Sequence, residues 1–170
     1  LAGTNDRINS SNGVAVFESR NSLDFMVGIT QALSQNAIVQ SNLTYYTGHG
    51  YYSDPYKTLD TRPDRRRVTA WLTRYNQYVP AADATLKLGY RLLFDSFGTN
   101  SNMVEAAWAQ ALPYGLTVTP LVRYYTQDAA SFYFNPPFPR GFVEGQYYSA
   151  DTRLAAFGAL TGGITVGKVL

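Results

Sequence analysis

The segment ATLKLGYRLLFD places Leu86, Leu88, Tyr90, Leu92 and Phe94 on even positions, while its odd positions include Lys87, Gly89, Arg91 and Asp95. Alternation with period two marks a β-strand with one apolar and one polar face. The pattern recurs in pairs joined by compact turns. SLDFMVGITQAL reverses at SQN into AIVQSNLTYY, RVTAWLTRYNQYV at PAAD into TLKLGYRLLFD, and NMVEAAWAQAL at PYG into LTVTPLVRYYT. By the same reading YYSADTRLAAFGAL reverses at TGG into ITVGKVL, and GVAVFESR adds one more strand. Pro80, Pro113, Gly115, Gly162 and Gly163 sit where those reversals need them.

The connections at the other end differ in kind. TGHGYYSDPYKTLDTRPDRR and QDAASFYFNPPFPRGFVEGQ are long and dense in Tyr and Phe, with SFGTNS the short exception. Strand runs of roughly 10 to 13 residues exceed the ~5–6 usual in soluble sheets and match the ~9–11 of a tilted membrane strand. Short turns at one end and long loops at the other are the arrangement of outer-membrane barrels. The expected fold is therefore all-β, an antiparallel up-and-down transmembrane β-barrel. Residues 1–170 form one domain in this reading, with eight or nine strands making an arc of a larger barrel. A self-contained eight-strand barrel is the competing count.

Parity then sorts the side chains. The polar set expected to line the lumen is Asp24, Arg74, Asn76, Lys87, Arg91, Asp95, Glu105, Arg123, Asp151 and Arg153. These residues either line a solute path or neutralise one another, and close alternation of sign favours a paired ladder, with Lys87 and Arg91 beside Asp95 and Asp151 beside Arg153. The aromatics expected at the two membrane interfaces are Tyr45, Phe94 and Tyr124 with Tyr148 near the long loops, and Trp108 and Tyr114 near the short turns.

Composition sharpens this picture. Charged residues make up 15% of the chain, against roughly 25% in soluble domains, and aromatics another 15%, including 14 Tyr. Net charge is +2, and basic residues are scattered apart from Arg65, Arg66 and Arg67, so no nucleic-acid footprint is present. The chain has no cysteine, which excludes disulfides and thiolate chemistry. No apolar run approaches the ~20 residues of a transmembrane helix, and LAGTNDRINS lacks the basic and apolar regions of a signal peptide.

The segments DTRPDRR, YRLLFDSFG and TPLVRYYTQDAASFY, between Tyr51 and Phe134, together with DTRLAAFGALTGG, carry a resemblance. The chain resembles a family of predicted bacterial outer-membrane β-barrel proteins catalogued only as a domain of unknown function. The resemblance implies a Gram-negative outer membrane, outer-membrane lipid as surroundings, and outer-membrane or periplasmic protein partners. It also implies a longer parent chain and a barrel of about 12 to 16 strands. It implies no activity.

Candidate chemistry is sparse. His49 is the only histidine, and a lipase-like site would pair it with Ser53 or Ser41. Asp54, Asp60 and Asp64 are a candidate calcium cluster, but their spacing fits no EF-hand loop and a solvated acidic loop is the simpler expectation. RYYTQDAASFYFNPPFPRGF offers an aromatic surface that either meets a partner or packs against neighbouring loops. No catalytic residue, metal or cofactor is assigned. The expected role is a scaffold, an assembly component or a narrow diffusion pore. The alternatives are a membrane-embedded hydrolase and a secreted β-sandwich that binds carbohydrate.

Overall fold

Alternating segments become long strands because each presents a complete row of backbone donors and acceptors to its neighbours in sequence. In a computed structural model of the chain, residues 1–9, 17–57, 60–135, 143 and 145–168 are described. The strands are β1 (Ala2–Asn9), β2 (Phe17–Ser34), β3 (Ala37–Gly50), β4 (Arg65–Val79), β5 (Ala84–Asp95), β6 (Ser101–Leu112), β7 (Leu116–Gln127) and β8 (Phe157–Lys168). They form one eight-stranded antiparallel meander in the order β1 to β8. Among the described residues β1 pairs only with β2 and β8 only with β7, so the sheet is not closed into a barrel. A self-contained eight-strand barrel is therefore excluded.

Three expected hairpins form with the expected turns. Pro80–Ala82 and Pro113–Gly115 are single 3-10 turns, with Asp83 at φ 46° and Tyr114 at φ 64° completing the reversals. The fourth does not form. TGG lies in the middle of β8, where Thr161, Gly162 and Gly163 face Arg123, Val122 and Leu121 in an unbroken ladder. Gly162 and Gly163 keep extended backbone; with no positive φ demanded of them, they fit a strand as readily as a turn. Tyr147 to Ala156 is correspondingly not a strand; it holds two isolated bridges, Thr61 with Tyr148 and Tyr133 with Ser149, and a 3-10 turn at Thr152–Leu154.

β1 was not foreseen, because AGTNDRIN carries no apolar alternation. It is held by an eight-residue register against β2, by the Thr4–Ser22 hydroxyl pair at 2.6 Å, and by Arg20 donating to Asp6 at 3.2 Å. Of the expected strand GVAVFESR, Phe17 onward belongs to β2 and residues 13–16 lie outside the described residues.

The register puts side chains on two faces of opposite character. One face carries Leu23, Phe25, Val27 and Ile29 of β2, Leu43 and Tyr45 of β3, Trp71 of β4, and Leu86 through Phe94 at alternate positions of β5. It continues through Val104, Ala106 and Trp108 of β6, Val122 and Tyr124 of β7, and Leu160, Ile164 and Val166 of β8. No described residue covers it: Ile29 is 67% exposed, Leu160 75% and Ile164 73%. The buried apolar cluster, Phe97, Ala130, Phe132 and Leu154, comes from the connecting segments instead. A soluble domain buries the apolar face of its sheet under a second layer; this sheet has none among the described residues.

Candidate functional site: the polar face and its loop cap

On the opposite face the pairing Asp24, Tyr46, Val68 and Asp95 runs as one row across four strands. A second row runs Gln40, Arg74, Gly89, Glu105, Arg123 and Thr161 from β3 to β8. Asn76 faces Lys87, and Leu72 faces Arg91. Asp24, Arg74, Asn76, Lys87, Arg91, Asp95, Glu105 and Arg123 thus share one face. Asp151 and Arg153 do not: they belong to the segment after β7, because the strand expected to carry them is absent.

The ion pairs differ from the expected ladder. Arg123 Nε donates to Glu105 Oε2 at 2.7 Å, linking adjacent strands. Asp95, however, is turned away from Lys87 and Arg91 towards the loop end. Its oxygens accept from Arg66 Nη2 at 2.5 Å, Thr99 Oγ1 at 2.6 Å and the Phe97 amide at 3.0 Å, and it is buried. Three residues on, Gly98 takes φ 92°, and next to it Ser131 N donates to Phe97 O at 2.8 Å. A Cβ on Gly98 would stand 3.1 Å from that same Ser131 nitrogen. Arg74, Lys87 and Arg91 form no ion pair among the described residues.

Above this face the long connections form a cap. The Phe97 ring meets Phe132 edge-on at 5.1 Å and Tyr52 at 5.7 Å, with the Arg66 guanidinium 4.9 Å over its centroid. Tyr52 is tied to the sheet through a 2.8 Å bond between its hydroxyl and that of Tyr46. Burial, then that bond, pushes the Tyr52 phenol above its ordinary value. Gly48 is required beneath it, since a Cβ there would lie 2.0 Å from the Tyr52 oxygen.

Asp151 is the electrostatic centre of the cap. It is 1% exposed. Arg153 reaches it through Nη2 at 2.5 Å and Nε at 3.0 Å, Arg62 at 2.9 Å and Lys57 at 3.0 Å. The Arg153 guanidinium, assisted by Lys57 and Arg62, holds this carboxyl well below the usual carboxylate range against the opposing effect of burial. Arg62 also contacts Asp60, at 2.9 Å, and Asp60 accepts the Asp54 amide at 2.5 Å. The cluster joins the β3–β4 connection to the β7–β8 connection across 89 residues of chain. Asp151 and Arg153 were expected side by side on a strand, making cross-strand pairs; they pair instead with each other in the 3-10 turn. The roles of Arg62, Lys57 and Arg66 were not expected, because only the folded loops bring them to their partners.

Expected interface aromatics separate in the same way. Tyr45 and Phe94 lie on the apolar face in one row through Thr69, whereas Tyr124 shares a row with Tyr90 and Val104. Trp108 is half-buried on that face and donates to Gln110 at 3.1 Å, and Tyr114 is 91% exposed at its turn. Tyr148 is not among them: it is buried in the cap, its ring stacked on Phe134 at 5.5 Å.

His49 Nδ1 stands 3.5 Å from Asp64 Oδ2, and His49, Ser53 and Asp64 line one recess. Ser53 Oγ accepts the Arg62 amide at 3.0 Å, with no hydrogen bond to His49 among the described residues. Ser41 lies on the apolar face, where it accepts from Trp71 Nε1 at 2.7 Å. Asp54, Asp60 and Asp64 are drawn to different partners, and no metal-holding group of His, Asp and Glu occurs among the described residues. The aromatic loop extends through residues 136–142, which lie outside the described residues; its Phe132 packs inward.

No curated protein and no solved structure matches the chain. A family model does, and nothing in its description ties it to outer-membrane barrels. Matching residues 4–170, it shows that the chain belongs to the family described as Protein of unknown function (DUF3570).

Proposed function

We propose that this sheet is the lipid-embedded part of an outer-membrane β-barrel, with the polar face inward and the long loops closing one end. The observation that carries the reading is the apolar face. From β2 to β8 its only charged side chains among the described residues are Arg65 and Arg67 at the long-loop end and Lys168 at the short-turn end. Along β5 the span from Leu86 to Phe94 is about 26 Å at ~3.3 Å per residue, or roughly 20 Å in height at a ~40° tilt. That is close to the ~25 Å apolar band of known barrels.

Polar atoms on this face are tied laterally, as a medium without water requires. Trp71 and Thr73 both engage Ser41, at 2.7 and 3.2 Å, and Tyr90 donates to Asn102 at 2.9 Å. Arg65, Arg67 and His49 gather where lipid phosphates would lie at the long-loop boundary. Because an unpaired strand edge is not tolerated in lipid, the free edges of β1 and β8 call for further strands, and the sheet is an arc of a larger barrel. The cap suits a scaffold or a narrow, gated pore better than a wide channel.

Vesicle flotation tests this directly. The full chain, refolded with phospholipid vesicles, is expected to float with them, to resist carbonate extraction and to migrate differently on gels before and after heating. Protein that stays soluble and monomeric without lipid or detergent would instead support a secreted carbohydrate-binding sheet. A hydrolase reading finds no Ser–His hydrogen bond to build on.

A further inference from the structure

Once the ion pairs on the polar face are drawn, its unpaired basic residues are concentrated in one place. Glu105 is engaged by Arg123 and Asp95 by Arg66, which leaves Arg74, Lys87 and Arg91 without an acidic partner among the described residues. These three surround Gly89. Arg74 faces it across the β4–β5 ladder, and Lys87 and Arg91 stand two residues to either side on its own strand. Lys87 and Arg91 are about 13 Å apart along the strand, and Lys87, not Arg91, lines the space beside the glycine. Gly89 has no side chain to fill the space, and Glu105 Cβ is the nearest atom to where one would begin, at 3.7 Å.

The result is a recess of about 220 Å³ whose lining includes Arg74, Asn76, Lys87, Glu105 and Arg123. Like charges crowded on neighbouring strands destabilise a sheet unless something neutralises them. Ligand pockets for drug-sized molecules start near ~300 Å³, so the space suits a smaller ion. We infer that Arg74 and Lys87, with Arg123 beside them, form a binding site around Gly89 for a small oxyanion, of the phosphate or carboxylate class. Guanidinium groups match the geometry of such oxyanions through paired N–H donors, and Lys87 adds a point charge. Arg74, Lys87 and Glu105 stand on the face of the sheet opposite Leu92 and Phe94, so the ligand is a free solute rather than a lipid headgroup. A part in solute passage rests on the barrel reading above; the binding itself does not.

The test uses the full chain folded in zwitterionic detergent and inorganic phosphate as the probe, read at the Gly89 amide by NMR and by calorimetry at constant ionic strength. Saturable binding is expected. Combined Arg74→Gln and Lys87→Gln substitution should weaken it about tenfold or more, as lost charge-assisted bonds do. Glu105→Gln frees Arg123 and should tighten it by a few fold. A shift that does not saturate, or that potassium chloride reproduces, overturns the site, as does binding undiminished in the double variant with an unchanged melting curve. Nanodiscs provide the second arm: equal phosphate affinity in phosphatidylcholine and phosphatidylglycerol discs is expected, and displacement by the anionic lipid would reassign the recess to a headgroup. Vesicle flotation reports separately on the membrane reading, so phosphate binding without flotation sinks the barrel and keeps the site, and the reverse sinks only the site.

Discussion

Leu88 and Gly89 are neighbours in sequence on opposite faces, and the account requires them to respond oppositely to charge. Leu88→Arg places a cation on the lipid side, at a cost of roughly 2–4 kcal/mol near the midplane, and should abolish heat-modifiable assembly. Gly89→Asp places an acid among Arg74, Lys87 and Arg91, with ordinary contact at Glu105 Cβ, and should assemble like the parent. Equal behaviour of the two variants would mean that the faces are not distinguished by their surroundings. Tyr114 offers a second residue-scale check. It holds φ 64° with its ring 91% exposed, so its conformation costs about 1–2 kcal/mol with no packing in return. Tyr114→Gly gives back part of this to chain entropy and should raise the denaturation midpoint in detergent by the equivalent of about 0.5–1 kcal/mol. A lowered midpoint would show that the exposed ring contributes to stability by contact with the surrounding phase.

Among the elements, the cap stands apart because its stability depends on ionisation. The folded carboxyl of Asp151 lies below its unfolded value, so it stabilises the cap above the unfolded value of about 3.9 and loses that contribution as pH falls through the folded value. Pepsin cleavage between Ala129 and Leu154 should therefore stay slow near about pH 4 and accelerate only further into acid. Asp151→Asn should be cleaved readily throughout, at a cost of about 2 kcal/mol, less than for a fully buried pair because Arg153 remains largely in water and Lys57 partly so. The strands were legible in the sequence where one side carries an unbroken apolar row, as in β5, and where Pro80 and Pro113 mark the turn. β1 was not, because its register comes from the polar pairs Thr4–Ser22 and Asp6–Arg20. TGG misled because glycine permits a turn without requiring one. The polar face followed from parity, but the partners of Asp95 and Asp151 did not, since Arg66, Arg62 and Lys57 reach them only through loop folding that no period in the sequence encodes.

At the scale of the whole molecule, an eight-stranded sheet carries its buried apolar cluster at one end and leaves its broad apolar face bare. Water is a poor environment for so large an uncovered face, and the segregation of charge to the other side supports lipid as the missing layer. Under the proposed reading, the edges of β1 and β8, unpaired among the described residues, would need further strands for closure. The central claim, that one face of this sheet meets lipid and the other an aqueous interior, is tested most directly by spin labels placed singly at residues 86 to 93 of the full chain in phospholipid vesicles. Accessibility to dissolved oxygen should peak at 86, 88, 90 and 92, and accessibility to a water-soluble nickel chelate at 87, 89 and 91, the two profiles alternating out of phase along β5. Profiles that rise and fall together, or nickel access as high at 88 as at 89, would contradict it.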